Sequence, residues 1–311
     1  MTSVICVGIA TLDQIFQVES FSNEGGKTRA KAYQSVGGGI AANAAVAIAR
    51  AGGQAFLATN LGDDLIGAAI LKELKKDQID ASRVNIVQGL ASPVASILIN
   101  DEGERQIVTH FSPALFTSDL SLPDLPSACA AVMADIRWPG GACAALASAK
   151  KRGIPGVVDL EIVDDQDIKP FLVHASHIVV PRKSLERATG LLDPTAALQQ
   201  LRQATDAHVS ATLGPEGVIW LEGDTVQWLP ALQIDVLDTT GAGDVFHGIL
   251  AMELGRGRGF RDAATEANLV AALKCTRTGG RHSVPNSAQI ETFKAQLDSN
   301  VSLSPVMPSE F

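Results

Sequence analysis

The chain has 311 residues, 46% hydrophobic and 19% charged, enough apolar material to bury the core of one large domain. Its 25 Lys and Arg stand against 34 Asp and Glu, a formal net charge of −9. No clustered basic surface is available to neutralise phosphates, so a nucleic-acid-binding role is set aside.

The amino terminus, MTSVICVGIATLD, lacks the basic segment and long apolar core of a signal peptide. No run reaches the roughly 18 apolar residues of a membrane span. Cys6, Cys129, Cys143 and Cys275 lie far apart without a CxxC pair, which argues against a zinc or disulfide framework and fits reduced thiols in a cytoplasm. Short apolar runs at residues 4–9, 56–58, 131–136, 156–160, 177–180 and 218–221 alternate with helical segments rich in Ala and Leu. That rhythm predicts an α/β fold with a mainly parallel central sheet, helices on both faces, and a ligand crevice beyond the carboxyl ends of the strands. Residues 14–36 and 92–111 break the rhythm and predict a small added β-layer, a lid. The second of them reads as two strands around an Asp-Glu-Gly turn. Residues 1–298 therefore form the expected domain, and 299–311, without helical periodicity, a tail.

Residues 37–45, GGGIAANAA, open an Ala-rich helix running to about residue 51. Gly37, Gly39 and Ala42 also satisfy the dinucleotide fingerprint GxGxxA, but the preceding RAKAYQS is polar where that motif needs a buried strand. Simple helix packing through small residues is a third reading.

Residues 238–244 read DTTGAGD, between a strand-like run at 232–236 and a helix-like run at 245–254. A Gly-rich turn entering a helix points unpaired N–H groups and the positive end of the helix dipole at one spot, an anion site. An acidic residue there would repel phosphate, so Asp244 makes better sense as a general base toward an attacking hydroxyl. The competing reading is that Asp244 caps the helix and the glycines only make the turn. No GK[ST] follows, so the loop is not a Walker A motif.

DTTGAGD followed by VFHG resembles the carboxyl-terminal signature of the PfkB, or ribokinase-like, carbohydrate kinases. The resemblance implies a three-layer sandwich with a β-sheet lid and transfer of phosphate from ATP to a sugar hydroxyl. Asp244 falls on the family's catalytic base, and the N–H groups of Gly241, Ala242 and Gly243 on its anion hole. Gly38, Gly39 and Asn43 match the sugar-binding signature, and Asp13, expected at the end of the first strand, matches a sugar-holding Asp. SATLGPEG, residues 210–217, resembles the nucleotide loop through Thr212, Gly214 and Gly217. AALKCTRTGGR, residues 271–281, resembles the segment flanking adenine and a monovalent cation such as K⁺, which together with the signature loop implicates Cys275 and Thr240 in cofactor binding.

The resemblance also implies Mg²⁺, yet where many members carry Asn-x-x-Glu this chain has Pro181 and Ser184. No metal ligand is assigned, and Glu186 reads more simply as a solvated helix charge. VGGG, ADIRW, DTTGAGDVFHG and AALKCTRTGGR together look like the bacterial sulfofructose kinases, which phosphorylate 6-deoxy-6-sulfofructose at its 1-hydroxyl. There a Lys and an Arg at the positions of Lys27 and Arg137 hold the sulfonate, while a third ligand, an Asn, is replaced by Thr109 or lies beside His110. Lys27 as an exposed loop charge and Arg137 as a surface ion pair are the plain alternatives. A neutral sugar (fructose, ribose, ketodeoxygluconate) or a non-catalytic sugar- or nucleotide-binding role are the rival functions. The lid's edges suggest a homodimer.

Overall fold

In a computed structural model of the protein, residues 1–22, 25–117, 122, 124–163 and 166–299 are described. The chain begins β1 (Ser3–Val7), β2 (Thr11–Gln17), β3 (Ala32–Gly38), α1 (Ile40–Arg50), β4 (Gln54–Gly62), α2 (Leu65–Lys76), β5 (Asp80–Val87) and the hairpin β6 (Val94–Ile99) and β7 (Arg105–His110). It continues with β8 (Cys129–Asp135), α3 (Pro139–Arg152), β9 (Gly156–Asp159), α4 (Lys169–His174), β10 (His177–Pro181), α5 (Arg182–Thr189), α6 (Pro194–Arg202) and β11 (His208–Thr212). The last elements are β12 (Val218–Glu222), β13 (Thr225–Leu229), α7 (Ala242–Gly255), α8 (Phe260–Cys275) and α9 (Ser287–Ser299). Of the expected tail, Ser299 ends α9, and residues 300–311 lie outside the described residues.

Among the described residues, nine strands form one sheet in the order β13-β12-β11-β10-β9-β8-β1-β4-β5, parallel from β5 to β11 and antiparallel at β12 and β13. Its central strands are apolar without alternation because both faces are covered. Val4, Cys6 and Met133 pack on one side with α1, α7 and α8, whereas Ile5, Val7, Val132 and Ala134 pack on the other with α3 and α6. Four strands form a second sheet, β3-β2-β6-β7. Its first arm starts at Thr11 rather than residue 14, so Asp13 lies within β2, paired with Val36, and not at the end of the first strand. The expected strand at 232–236 does not form. After β13 the backbone instead turns to α8, where Leu237 N–H donates to the carbonyl of Cys275 at 2.8 Å.

Two features fix where α1 begins and how it meets α7. Asp135, fully buried at the end of β8, accepts N–H groups from Ile9 (2.8 Å) and Ala41 (3.1 Å) on Oδ2 and from Arg137 (2.8 Å) on Oδ1. Burial nevertheless pushes its carboxyl up to about 7, the backbone N–H groups offsetting only part of the desolvation. Gly39, the residue before α1, takes φ of 92°, and a Cβ there would sit 2.5 Å from the carbonyl oxygen of Ile9.

The alanines of α1 let α7 approach closely. A Cβ on Gly248 would lie 2.5 Å from the Ala44 carbonyl oxygen, a backbone atom that cannot swing aside. Gly248→Ala should therefore force the two helices apart, costing roughly 1–3 kcal/mol as overpacking does. Urea unfolding measures that loss, and a fall in kcat is expected with it because the same crossing carries the site residues.

Candidate active site

α7 starts at the Gly-rich turn, with Gly241 in the cap position and Asp244 in the first helical turn. The N–H of Ala242 donates back to the Thr239 carbonyl at 3.2 Å, while the N–H groups of Gly241 and Gly243 have no partner among the described residues. They are the free donors of the helix start. Asp244 Oδ2 accepts a hydrogen bond from Asn43 Nδ2 at 2.7 Å, linking residues 201 positions apart. On α1, Asn43 is the one polar side chain in the run AANAAVA, and it faces α7.

Burial is the largest influence on Asp244 and pushes its carboxyl up to about 7. Asn43 and the nearby His247 pull it down, and the charges of Asp159 and Glu161 push it up. A carboxylate titrating near neutrality is matched to general-base work.

Arg281, from the turn Gly280–Ser283, lies in this site. Its Nε donates to Asn43 Oδ1 at 2.9 Å and its Nη2 to the Gly38 carbonyl at 2.5 Å. The guanidinium is 3% exposed, packs against the Cα of Gly37, and leaves Nη1 without a partner. Burial pushes it down to about 10, with the surrounding carboxylates opposing. Asp13 sits across Gly38, where a Cβ would be 2.1 Å from Oδ2, and takes a 2.6 Å bond from Thr11 Oγ1. Asp13, Asn43, Thr240, Gly241 and Arg281 thus line one cleft.

A second cleft, about 600 Å³, opens at the carboxyl ends of β9, β10 and β11. Thr212 and Gly214 line it with Glu161, Arg182, Lys183 and Arg187, and its size suits a nucleotide. Gly217 closes the turn below, its N–H donating to the Gly214 carbonyl at 3.1 Å. Cys275 is a buried free thiol whose carbonyl anchors Leu237 and Asp238, and Thr240 N–H is held by Asp238 Oδ1 at 2.8 Å. Pro181 has no N–H, and Ser184 Oγ is taken by the N–H of Ile162 at 2.9 Å.

Neither of the two expected anion holders is among the residues lining the two clefts. Lys27 is exposed, with no hydrogen bond or ion pair among the described residues, and Arg137 spends Nη2 on Glu161 Oε2 (2.6 Å) and Nη1 on the Glu161 carbonyl (3.1 Å). Thr109 and His110 are exposed on β7.

The sequence profile of the pfkB family carbohydrate kinases matches residues 1–287. The chain belongs to the pfkB family of carbohydrate kinases. A ribokinase of Lactococcus lactis is 26% identical over 97% of this chain and 100% of its own, and a deoxyribokinase of Salmonella typhi 25% identical over 96% and 99%. The crystal structure of a candidate ribokinase from Agrobacterium tumefaciens superposes with a TM-score of 0.90 at 32% identity, covering 96% of this chain and 99% of that one. As a pfkB carbohydrate kinase the protein is an ATP-dependent phosphotransferase acting on a sugar hydroxyl, with the ribokinase-like arrangement of a large sheet and a smaller one.

Sequence reasoning missed Asp135, Arg281 and the pair of His247 with Asp159, whose Nδ1 and Oδ2 are 3.2 Å apart, buried, and out of line for a hydrogen bond. His247 carried a signal. It is the polar residue one turn beyond Asp244, set among apolar side chains in that part of α7.

If Asp244 is the base, kcat/KM rises with pH through about 7 as its proton leaves. Removing the Asn43 donor in Asn43→Ala destabilises the carboxylate and moves that limb to higher pH. A pH–rate profile of both proteins checks the direction, and an unmoved limb would assign it to another group.

Proposed function

We propose that the protein transfers the γ-phosphoryl group of ATP to the 1-hydroxyl of a ketose, 6-deoxy-6-sulfofructose, with Asp244 as general base. The observation that carries the base assignment is the half-buried Asp244 carboxylate, 2.7 Å from Asn43 at the start of a helix with unpaired N–H groups. Asp13, Gly38 and Asn43 hold sugar hydroxyls beside it, and the N–H groups of Gly241 and Gly243 receive the charge of the moving phosphoryl group. Ala242 shares that role only by giving up its bond to Thr239. The nucleotide lies along Thr212, Gly214 and Gly217.

Mg²⁺ would neutralise the ATP phosphates as charge shifts between them. Among the described residues no group of three or more His, Cys, Asp and Glu is arranged as a metal cage. Asp159 fits as a hard oxygen donor, since its buried Oδ1 has no hydrogen-bond partner, and Glu161 lies two residues on at the same strand end.

For the anion, Arg137 stands at the carboxyl end of β8, where ligands are met, and a sulfonate would compete with Glu161 for its guanidinium fork. Lys27 has no competing partner among the described residues. The second reading, ribose, is favoured by relatives that carry the ribokinase name. The small sheet also supports a homodimer, because β3 and β7 are its edges and Tyr33, Ile107 and Val108 are exposed large side chains on them.

Coupled ADP release with Mg·ATP against sulfofructose, fructose, fructose 6-phosphate, ribose, ketodeoxygluconate and adenosine tests the substrate. The expected result is a preference for sulfofructose that Arg137→Ala removes. A ribose preference untouched by Arg137→Ala gives the second reading. Asp244→Asn should keep ATP binding and lose turnover, and retention of more than about a tenth of kcat contradicts the general-base role.

A further inference from the structure

Lys274, near the end of α8, is fully buried, and its ammonium is enclosed at the Gly-rich loop. Nζ donates to the carbonyl oxygen of Asp238 at 2.9 Å and lies 3.5 Å from Asp238 Oδ2. The other carboxylate oxygen of Asp238 accepts the N–H of Thr240 at 2.8 Å and meets Arg105 Nη2 of β7 at 3.1 Å. Three residues after Asp238 the loop turns through Gly241 into α7, so whatever holds Asp238 holds the unpaired N–H groups in place.

A carbonyl oxygen and a carboxylate oxygen facing one buried positive charge are the hard donors that a monovalent metal ion takes. The resemblance of residues 271–281 to a cation-flanking segment leads one to expect such an ion near this loop. Here the chain itself puts a compact, spherical cation on those oxygens. Arginine could not take this role in the same way, because its planar fork is larger and directional, whereas an ammonium approximates a point charge. Burial lowers the basicity of Lys274, and Asp238 opposes that loss. In Asp238 the cost of burial is outweighed by the Thr240 bonds and the two cations, which hold its carboxyl below the usual range.

We infer that Lys274 is a built-in monovalent cation: its ammonium replaces an added ion such as K⁺ as the positioning charge under the Gly-rich loop. The inference rests on the reading of that loop as the phosphoryl site. It makes the enzyme independent of monovalent salts, and it makes the truncated variant dependent on them. Lys274→Ala removes the charge and leaves its oxygens and a cavity of the side chain's size, while Lys274→Met removes the charge and fills most of the space.

The test is kinetics and thermal unfolding in tetramethylammonium buffers free of Na⁺, K⁺ and NH₄⁺, with KCl, NH₄Cl or methylammonium chloride then added. The wild-type protein should change by less than about twofold in kcat/KM. Lys274→Ala should lose at least about tenfold, the scale of a displaced loop at a reacting centre. NH₄⁺, K⁺ or methylammonium should restore much of that loss and raise Tm by about 3 °C or more, as a ligand bound only by the folded state does. Lys274→Met should show the loss without the rescue. A wild-type enzyme that needs added K⁺ for turnover overturns the inference. So does a folded Lys274→Ala whose Tm and rate ignore all three cations. The Tm series reads the cation site even if the loop serves another role, in which case binding is rescued while sugar phosphorylation by the wild type is absent throughout.

Discussion

The site depends on how closely α1 can cross α7. Only a helix lined with alanines against a helix bearing Gly248 brings the two backbones near enough for Asn43 to reach Asp244 at 2.7 Å. Everything polar in the site is then attached to that contact. Arg281 fixes the Asn43 amide by taking its oxygen, which leaves the Nδ2 donor pointed at the carboxylate. Asp135 fixes the start of α1 through Ala41, and so fixes the height of Asn43 along the crossing. A packing constraint between apolar surfaces thereby sets a hydrogen-bond geometry that no local sequence element could set by itself.

The chain carries a net negative charge, yet its candidate site is a cluster of buried and half-buried charges in which each carboxylate faces a basic group. Asp13 and Asp244 face Arg281, Asp159 faces His247, Glu161 faces Arg137, and Asp238 faces Lys274 and Arg105. Each carboxylate taken alone would be strongly destabilised by burial, and each pair returns part of that cost. The pairing is unequal, and the inequality matters. Asp238 has two cations and Thr240 and stays readily ionised, whereas Asp244 has an amide and a shared histidine and rises to about 7. Within a single heptapeptide one carboxylate is held ionised and another is raised toward neutrality by what surrounds each.

Much of this was legible in the sequence where chemistry and local geometry coincide. The apolar runs that became β1, β8, β9 and β10 are buried on both faces, so they show as unbroken hydrophobic stretches. DTTGAGD and GGGIAANAA mark helix starts because glycine is needed there. β5 and β13 escaped notice as edge strands whose half-exposed residues, DASRVNIV and TVQWL, lack that signal. The run at 232–236 has strand-like composition, but the chain just after it, at Leu237 and Asp238, bonds to the end of α8 rather than to a neighbouring strand. Arg281, Asp135 and Lys274 were illegible for another reason. A charged residue reads as surface, and only the tertiary structure shows that Lys274 and Asp135 are entirely enclosed.

Arg105 adds a connection between the two sheets. It belongs to β7, at the outer edge of the small sheet, and touches both Asp238 and Thr239 Oγ1 of the Gly-rich loop. The inner strand β2 supplies Asp13 to the same site. One sheet therefore contributes both a carboxylate to the cleft and a cation to the loop that caps α7, so the small sheet cannot move away without unpairing Asp238 on one side and removing Asp13 on the other. This double attachment ties the position of the small sheet to that of the Gly-rich loop. Arg105 meets Asp238 at 3.1 Å from a side chain 28% exposed, whereas Lys274 meets it at 3.5 Å from full burial, so solvent screens the first contact more than the second.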